Sequence, residues 1–262
     1  MNGLRQFKAK AIIFDKDGTL IDFDSMWGGW ALYLAGQLQL VSGLDVRDAL
    51  CHAMGYDQHN RKVLAGGRLA SRPMAQLREI TRDVMQSLGL TRETAEQAVE
   101  DAWCIPDPVM LAKPLTDMRA LFSRLYKLGI KVGIATADDR APTQAMIEAF
   151  DLGDYISAMV CGDDGLNSKP SPDMVLALCE RMQVNPSHTM VIGDTASDMK
   201  MARAAGAGLA VGVLSGVSTA RDLVSYADAL LESVDELHTY LTGLADDTSS
   251  LTSSDLDPDV AF

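Results

Sequence analysis

No run in this 262-residue chain approaches the roughly 20 consecutive apolar residues that a membrane-crossing helix needs. The apolar run Ala11 to Phe14, which follows Arg5, Lys8 and Lys10, is far shorter than the core of a secretion signal, so a cytoplasmic location is expected. Cysteine is scarce. Cys51, Cys104, Cys161 and Cys179 stand far apart and none forms a CxxC pair. That argues against a disulfide framework or a zinc site and leaves buried, inert thiols as the plain reading. Lysine and arginine are absent after Arg221, while Asp246, Asp247, Asp255, Asp257 and Asp259 follow it. The formal net charge is −13, and the balance argues against nucleic acid or an anionic membrane as partner. It leaves open a small phosphorylated substrate, which answers to the local field of one pocket. No internal repeat is visible, and nothing indicates an oligomeric state.

What the chain does contain is a series of short apolar runs. Ala11 to Phe14, Lys131 to Ala135, Ile156 to Val160, Thr189 to Ile192 and Gly208 to Val213 read as buried parallel strands, with Asp228 to Leu231 as a short sixth. Helical patterns lie between them, at Leu115 to Leu128, Pro142 to Phe150, Pro172 to Met182 and Ser197 to Ala205. This alternation implies an α/β fold, a doubly wound parallel sheet covered on both faces. The stretch from Phe23 to Pro106 breaks it. Four helices are expected there, at Trp27 to Leu40, Val46 to Met54, Met74 to Leu88 and Arg92 to Trp103, with no convincing strand. The expected organisation is a sheet domain from residues 1–22 and 107–244, an inserted all-helical domain over 23–106, and a tail over 245–262. Pro106, Pro108 and Pro114 mark the return to the sheet. The Ser-, Thr- and Asp-rich tail is expected to be disordered, because it has little apolar surface to offset its ordering entropy.

The first chemical signal is Asp15-Lys16-Asp17-Gly18-Thr19-Leu20, directly after the first strand. Ligands of open parallel sheets bind beyond the carboxyl ends of the strands. Two carboxylates two residues apart, with Gly18 permitting a sharp turn, can share one pocket; one can attack while the other transfers a proton. By itself the fragment also admits the reading of an acidic turn. Three further strand-end signals follow in order: Ile134-Ala135-Thr136, then Lys169-Pro170 with Pro172-Asp173, then Gly193-Asp194-Thr195-Ala196-Ser197-Asp198. Together the four resemble the motifs of the haloacid dehalogenase-type superfamily, a Rossmann-like core, over about Ala9 to Leu241.

The resemblance implies a magnesium-dependent phosphatase. Asp15 would be the nucleophile, forming an aspartyl-phosphate, and Asp17 the general acid and base. Mg²⁺ would be held by the Asp15 carboxylate, the Asp17 backbone carbonyl and Asp194. Thr136 and the backbone about Gly18 and Ala137 would hold the phosphate. Lys169 would neutralise its charge, with Asp198 acting through water or by orienting Lys169. Taken singly, Asp194 and Asp198 also fit helix capping, and Lys169 a solvated lysine.

Two residues depart from the pattern: Asp138 and Asp139 add negative charge after Thr136, where one of them is expected to cap a helix, and Phe23 follows Asp22. The position of the insert resembles the helical cap of the phosphoglycolate phosphatase and β-phosphoglucomutase branch, which implies a small phosphomonoester, phosphoglycolate-like or a sugar phosphate. Arg61, Lys62, Arg68, Arg72, Arg78 and Arg82 form a basic stretch in it. Arg68 or Arg72, presented by the Gly66-Gly67 loop, is expected to read a second anionic group, and Arg78 and Arg82 to be solvated. Trp27, Trp30 and Tyr33 are expected in the cap core or hinge, with Met26, Met54 and Met74 as core filler. The alternatives are a phosphomutase using the same four motifs and a non-catalytic binding protein on the same fold.

Overall fold

The computed structural model describes residues 7–64, 67–72, 74–104, 107 and 109–239. Gly66, Pro106, Pro108 and the tail 245–262 lie outside them. In chain order the elements are strand β1 (Ala11–Phe14), a π-helical turn (Asp24–Gly28), helices α1 (Gly29–Ser42) and α2 (Arg47–Met54), strands β2 (Tyr56–Asp57) and β3 (Lys62–Val63), and helices α3 (Arg68–Ser71), α4 (Met74–Ser87), α5 (Arg92–Ala102) and α6 (Met118–Lys127). Then follow β4 (Lys131–Ala135), α7 (Arg140–Ala149), β5 (Ile156–Val160), α8 (Asp173–Met182), β6 (Thr189–Gly193), α9 (Ala196–Ala204), β7 (Leu209–Val213), α10 (Ala220–Leu223) and β8 (Ala229–Leu231).

Six strands form one parallel sheet in the order β5-β4-β1-β6-β7-β8. The fold is the expected α/β doubly wound sheet. Its strands are apolar at successive positions because both faces are covered. In β1, Ile12 and Phe14 enter one core with Leu121, Phe122 and Leu125 of α6, while Ala11 and Ile13 enter another with Val175 and Leu178 of α8 and Met199 of α9. β1 lies between β4 and β6, so the chain leaves it in one direction and returns on the other side. That is the point where such a sheet opens a crevice at its carboxyl edge.

Between β1 and β4 the helices α1, α2, α4 and α5 enclose a further core around Trp30, Leu34, Leu38, Leu50, Met54 and Met85. Trp30 donates its indole N–H to Cys104 O at 2.9 Å and meets Trp103 edge-on. The chain leaves and re-enters the sheet region as a crossed pair: Asp22 N donates to Lys113 O at 2.8 Å and Leu115 N to Leu20 O at 2.9 Å.

Two details differ from the sequence reading. β2 and β3 make a two-residue antiparallel ribbon inside the helical stretch. Its strands are too short to show a two-residue period, and its turn is held by Asp57 Oδ1, which accepts from His59 N and Asn60 N. Tyr33 is 56% exposed rather than in the core. Trp30, Ala31 and Leu34 define the buried face of α1, and Tyr33 falls on the opposite one. Met26 and Met54 are buried as filler, and Met74 packs partly buried against the same core. Arg78 and Arg82 pair across α4 and α5 with Glu100 and Glu96 at 2.7 and 2.6 Å. All four cysteines are free, and burial raises the thiols of Cys51 and Cys161 to about 11. No helix among the described residues is long and apolar enough to cross a membrane.

Candidate active site

Three neighbouring strands end within one residue of one another. Phe14 of β1 pairs with Ile134 of β4 and Ile192 of β6, so Asp15, Thr136 and Asp194 emerge side by side at the carboxyl edge. Asp15 N donates to Ile192 O at 2.8 Å and Thr136 N to Val160 O at 3.1 Å, which fixes both backbones. After Asp17 the chain folds back at once: Gly18 has φ +87° and its N–H donates to Ile21 O at 2.7 Å. A side chain at Gly18 would also meet Asp194, because its Cβ would stand 2.5 Å from Oδ2.

Lys169, from the segment before α8, reaches into this edge. Its Nζ lies 2.5 Å from Asp15 Oδ1 and 2.6 Å from Asp198 Oδ1, and its side chain is almost fully buried. Burial works against the lysine's charge, but Asp15 and Asp198 outweigh it and hold its pKa above the ordinary value. Asp198 sits in the first turn of α9, where it completes a capping box: Thr195 Oγ1 accepts from Asp198 N, and Thr195 N donates to Asp198 Oδ2. One oxygen therefore caps the helix while the other faces Lys169.

Burial also raises Asp15 to about 7, with the charges of Asp198 and Asp17 adding to it and Lys169 opposing. Asp194 is pushed well above the usual carboxylate range by burial and by the charges of Asp15 and Asp198. Its Oδ2 accepts from Val217 N at 2.9 Å, but its buried Oδ1 has no hydrogen-bond partner among the described residues. One oxygen each from Asp15, Asp194 and Asp198 lies within 4.8 Å of the others. Carboxylates this crowded, with one oxygen orphaned, are a donor set for a hard divalent cation. The residues fit such an ion.

The structure thus brings together Asp15, Gly18, Thr136, Lys169, Asp194 and Asp198. Ala137 is exposed beside them, and Asp17 is part-buried. Arg68 stands elsewhere. Its guanidinium donates to Ala53 O at 3.0 Å and lines a cavity of about 560 Å³ with Arg72, Glu79 and Asp83, none of them from the Asp15 cluster.

The sequence reading passed over two features. Lys16 is buried, with Nζ 2.6 Å from Asp17 Oδ1 and 3.1 Å from Asp138 Oδ2. Burial opposes its charge, yet the two carboxylates raise its pKa above the ordinary value. This accounts for Asp138, which does not cap α7. Its Oδ1 accepts from Asp139 N, Asp139 at the N-cap position makes no side-chain cap bond, and Arg140 N donates instead to Asp163 Oδ1 at 2.9 Å. The other feature is the loop after β7, where Ser215 Oγ donates to Gly18 O at 2.8 Å and Val217 N holds Asp194. A serine and a glycine just beyond a strand were the available signal.

Comparison with known proteins agrees with this geometry. A phosphoglycolate phosphatase of Escherichia coli K12 is 32% identical over 114 residues, which is 43% of this chain and 45% of that protein. The chain thus spans under half the length of that relative. An N-acetylmuramic acid 6-phosphate phosphatase of Pseudomonas aeruginosa is 24% identical over 203 residues, 78% of this chain and 81% of its own. The crystal structure of a HAD-superfamily hydrolase, subfamily IA, from Geobacter sulfurreducens PCA superposes with a TM-score of 0.59 at 20% identity, covering 90% of this chain and 98% of that one; at such identity it shows the fold alone. The family model of haloacid dehalogenase-like hydrolases matches residues 9–206, about three quarters of the chain and all four strand-end motifs, and the protein belongs to that family.

Proposed function

We propose that the protein is a magnesium-dependent phosphatase acting on a small phosphomonoester through an aspartyl-phosphate on Asp15. The observation that carries this reading is the Asp15 carboxylate, fixed by Lys169 at 2.5 Å and flanked by Asp194 and Asp198 at the sheet's carboxyl edge. A phosphomonoester is a dianion, and an anionic nucleophile approaches it only against strong repulsion. Lys169 offsets part of that charge, and a divalent ion, which Asp15, Asp194 and the Asp17 main-chain carbonyl would hold, would supply the remaining counter-charge.

In the first step an Asp15 oxygen bonds to phosphorus while the bond from phosphorus to the ester oxygen breaks. Asp17 gives its proton to the departing alkoxide. In the second step water attacks phosphorus, Asp17 takes the water's proton, and phosphate leaves with Asp15 restored. Thr136 and the amides near Gly18 and Ala137 donate to the phosphoryl oxygens. The helices of residues 23–106 serve as a cap over the site, and a cap admits small esters better than large ones. Phosphoglycolate and sugar phosphates are the substrate classes that follow, with cytoplasmic metabolites as the natural pool.

The test is phosphate release from phosphoglycolate, hexose phosphates and p-nitrophenyl phosphate, in millimolar Mg²⁺ and in EDTA. Turnover in Mg²⁺, abolished by EDTA and lowered at least about 10³-fold in Asp15→Asn, is expected. An Asp15→Asn variant that matches the parent overturns the reading. Isomerised sugar phosphate in place of inorganic phosphate would instead establish a phosphomutase.

A further inference from the structure

Lys16 separates the two aspartates of the first motif, and its surroundings are unusual for a surface turn. The side chain is 1% exposed, yet it ends on two carboxylates that are themselves 13% and 16% exposed, those of Asp17 and Asp138. A buried ammonium needs a partner, and one carboxylate would balance its charge. Two are present, from the ends of neighbouring strands β1 and β4. Asp138 is in turn tied down. Its N–H donates to Thr136 Oγ1 at 3.1 Å, its carbonyl accepts from Gly162 N at 2.8 Å, and its Oδ1 accepts from Asp139 N at 2.9 Å. Lys16 therefore links Oδ1 of Asp17 to a rigid point on the loop that follows Thr136.

We infer that Lys16 and Asp138 are positioning residues for proton transfer: shared between the two carboxylates, the Lys16 ammonium holds Asp17 Oδ1 and sets the direction in which Asp17 Oδ2 meets the ester oxygen. The inference rests on the phosphatase reading, in which Asp17 is the acid and base. Asp138 keeps Lys16 from closing onto Asp17 alone, and Lys16 keeps Asp17 from rotating freely. The extra negative charge beside Thr136 is thereby spent on Lys16 and does not face the phosphate.

A positioning role predicts a pattern that a general loss of structure does not. p-Nitrophenolate leaves without being protonated, whereas an alkoxide requires its proton in the transition state. The experiment compares kcat/KM, which reports only the steps up to departure of the ester oxygen, for p-nitrophenyl phosphate and for an alkyl phosphate such as glycerol phosphate, in the full chain saturated with Mg²⁺. Asp17→Asn sets the scale, lowering the alkyl-to-aryl ratio by about 10² or more. Lys16→Met and Asp138→Asn are each expected to lower the same ratio about 10-fold. Because Asp138 acts through Lys16, adding Asp138→Asn to Lys16→Met is expected to bring no further loss.

Equal losses on both esters, an unchanged ratio, or additive losses in the double variant would each overturn the inference while leaving the phosphatase reading in place. A parent protein inert towards both esters would overturn that reading itself. Asp138→Asn changes a partly exposed side chain by one atom, so it keeps the comparison available if Lys16→Met fails to fold.

Discussion

Gly216 has no room for a side chain. Its Cβ would stand 1.9 Å from Asp194 Oδ2 and 2.4 Å from Asp194 Cβ. Asp194 has little freedom to yield, because it is buried and its Oδ2 is held by Val217 N. A methyl group here must push the carboxylate out of line with Asp15 and Asp198. On the proposed reading Asp194 is a metal ligand, and disturbances around metal ligands typically cost about 10- to 100-fold in affinity. Gly216→Ala is therefore expected to raise the Mg²⁺ concentration needed for half-maximal activity by that factor, with kcat at saturating Mg²⁺ much less affected. An unchanged Mg²⁺ titration would show that Asp194 does not hold the ion. Gly18→Ala is the harsher change, since the same contact is joined by a left-handed φ of +87°.

At the scale of the element, α9 shows one carboxylate held at both of its oxygens. Its capping box uses Asp198 Oδ2, and the same carboxylate faces Lys169 through Oδ1. Removing the Thr195 hydroxyl leaves α9 without its N-cap side chain, a loss usually worth about 1 kcal/mol. Thr195→Ala is expected to lower stability in urea by about that amount, read as a shifted midpoint with an unchanged slope. A shift below a few tenths of a kcal/mol would show that the cap adds little here. The elements were largely legible because each buried strand is a short apolar run stopped by charge or glycine. β1, β4 and β5 begin and end where those runs do. Part of the candidate site was legible for the same reason, as Asp15, Thr136 and Asp194 each sit one residue past a strand end. Strand order was not legible. Only the placement of β4 beside β1 brings Asp138 to Lys16, and no local pattern announces that pairing. Arg68 illustrates the converse: a basic run shows where charge lies in the chain but not which cavity it enters.

Over the whole molecule, a formal charge of −13 surrounds a buried carboxylate cluster of which two members, Asp15 and Asp194, resist ionisation. Asp15 is raised from 3.8 to about 7, and Asp194 is raised as well, both mainly by burial. Without a divalent ion the folded protein thus holds protons that the unfolded chain has already released. Between the unfolded value of 3.8 and about 7, folded-state proton binding exceeds unfolded-state binding, so stability falls as pH rises, by at most about 1.4 kcal/mol per pH unit for each group. Lys169 does not contribute to this slope, because its raised pKa lies above the ordinary lysine value. Carboxylates with depressed values, such as Asp164 beside Arg140, lose their stabilising effect only below the ordinary carboxylate value and stay outside this window. In EDTA, Tm is therefore expected to fall from about pH 5 to pH 7. On the proposed reading millimolar Mg²⁺ reverses this, the ion binding the deprotonated cluster and stabilising the folded state by mass action. The Mg²⁺-induced rise in Tm is expected to be larger at pH 7 than at pH 5, and Asp194→Asn should flatten both dependences. A calorimetric Tm in EDTA that is level across this range would show that Asp15 and Asp194 are not raised in the folded state, and an Mg²⁺ increment independent of pH would show that the cluster is not the divalent site.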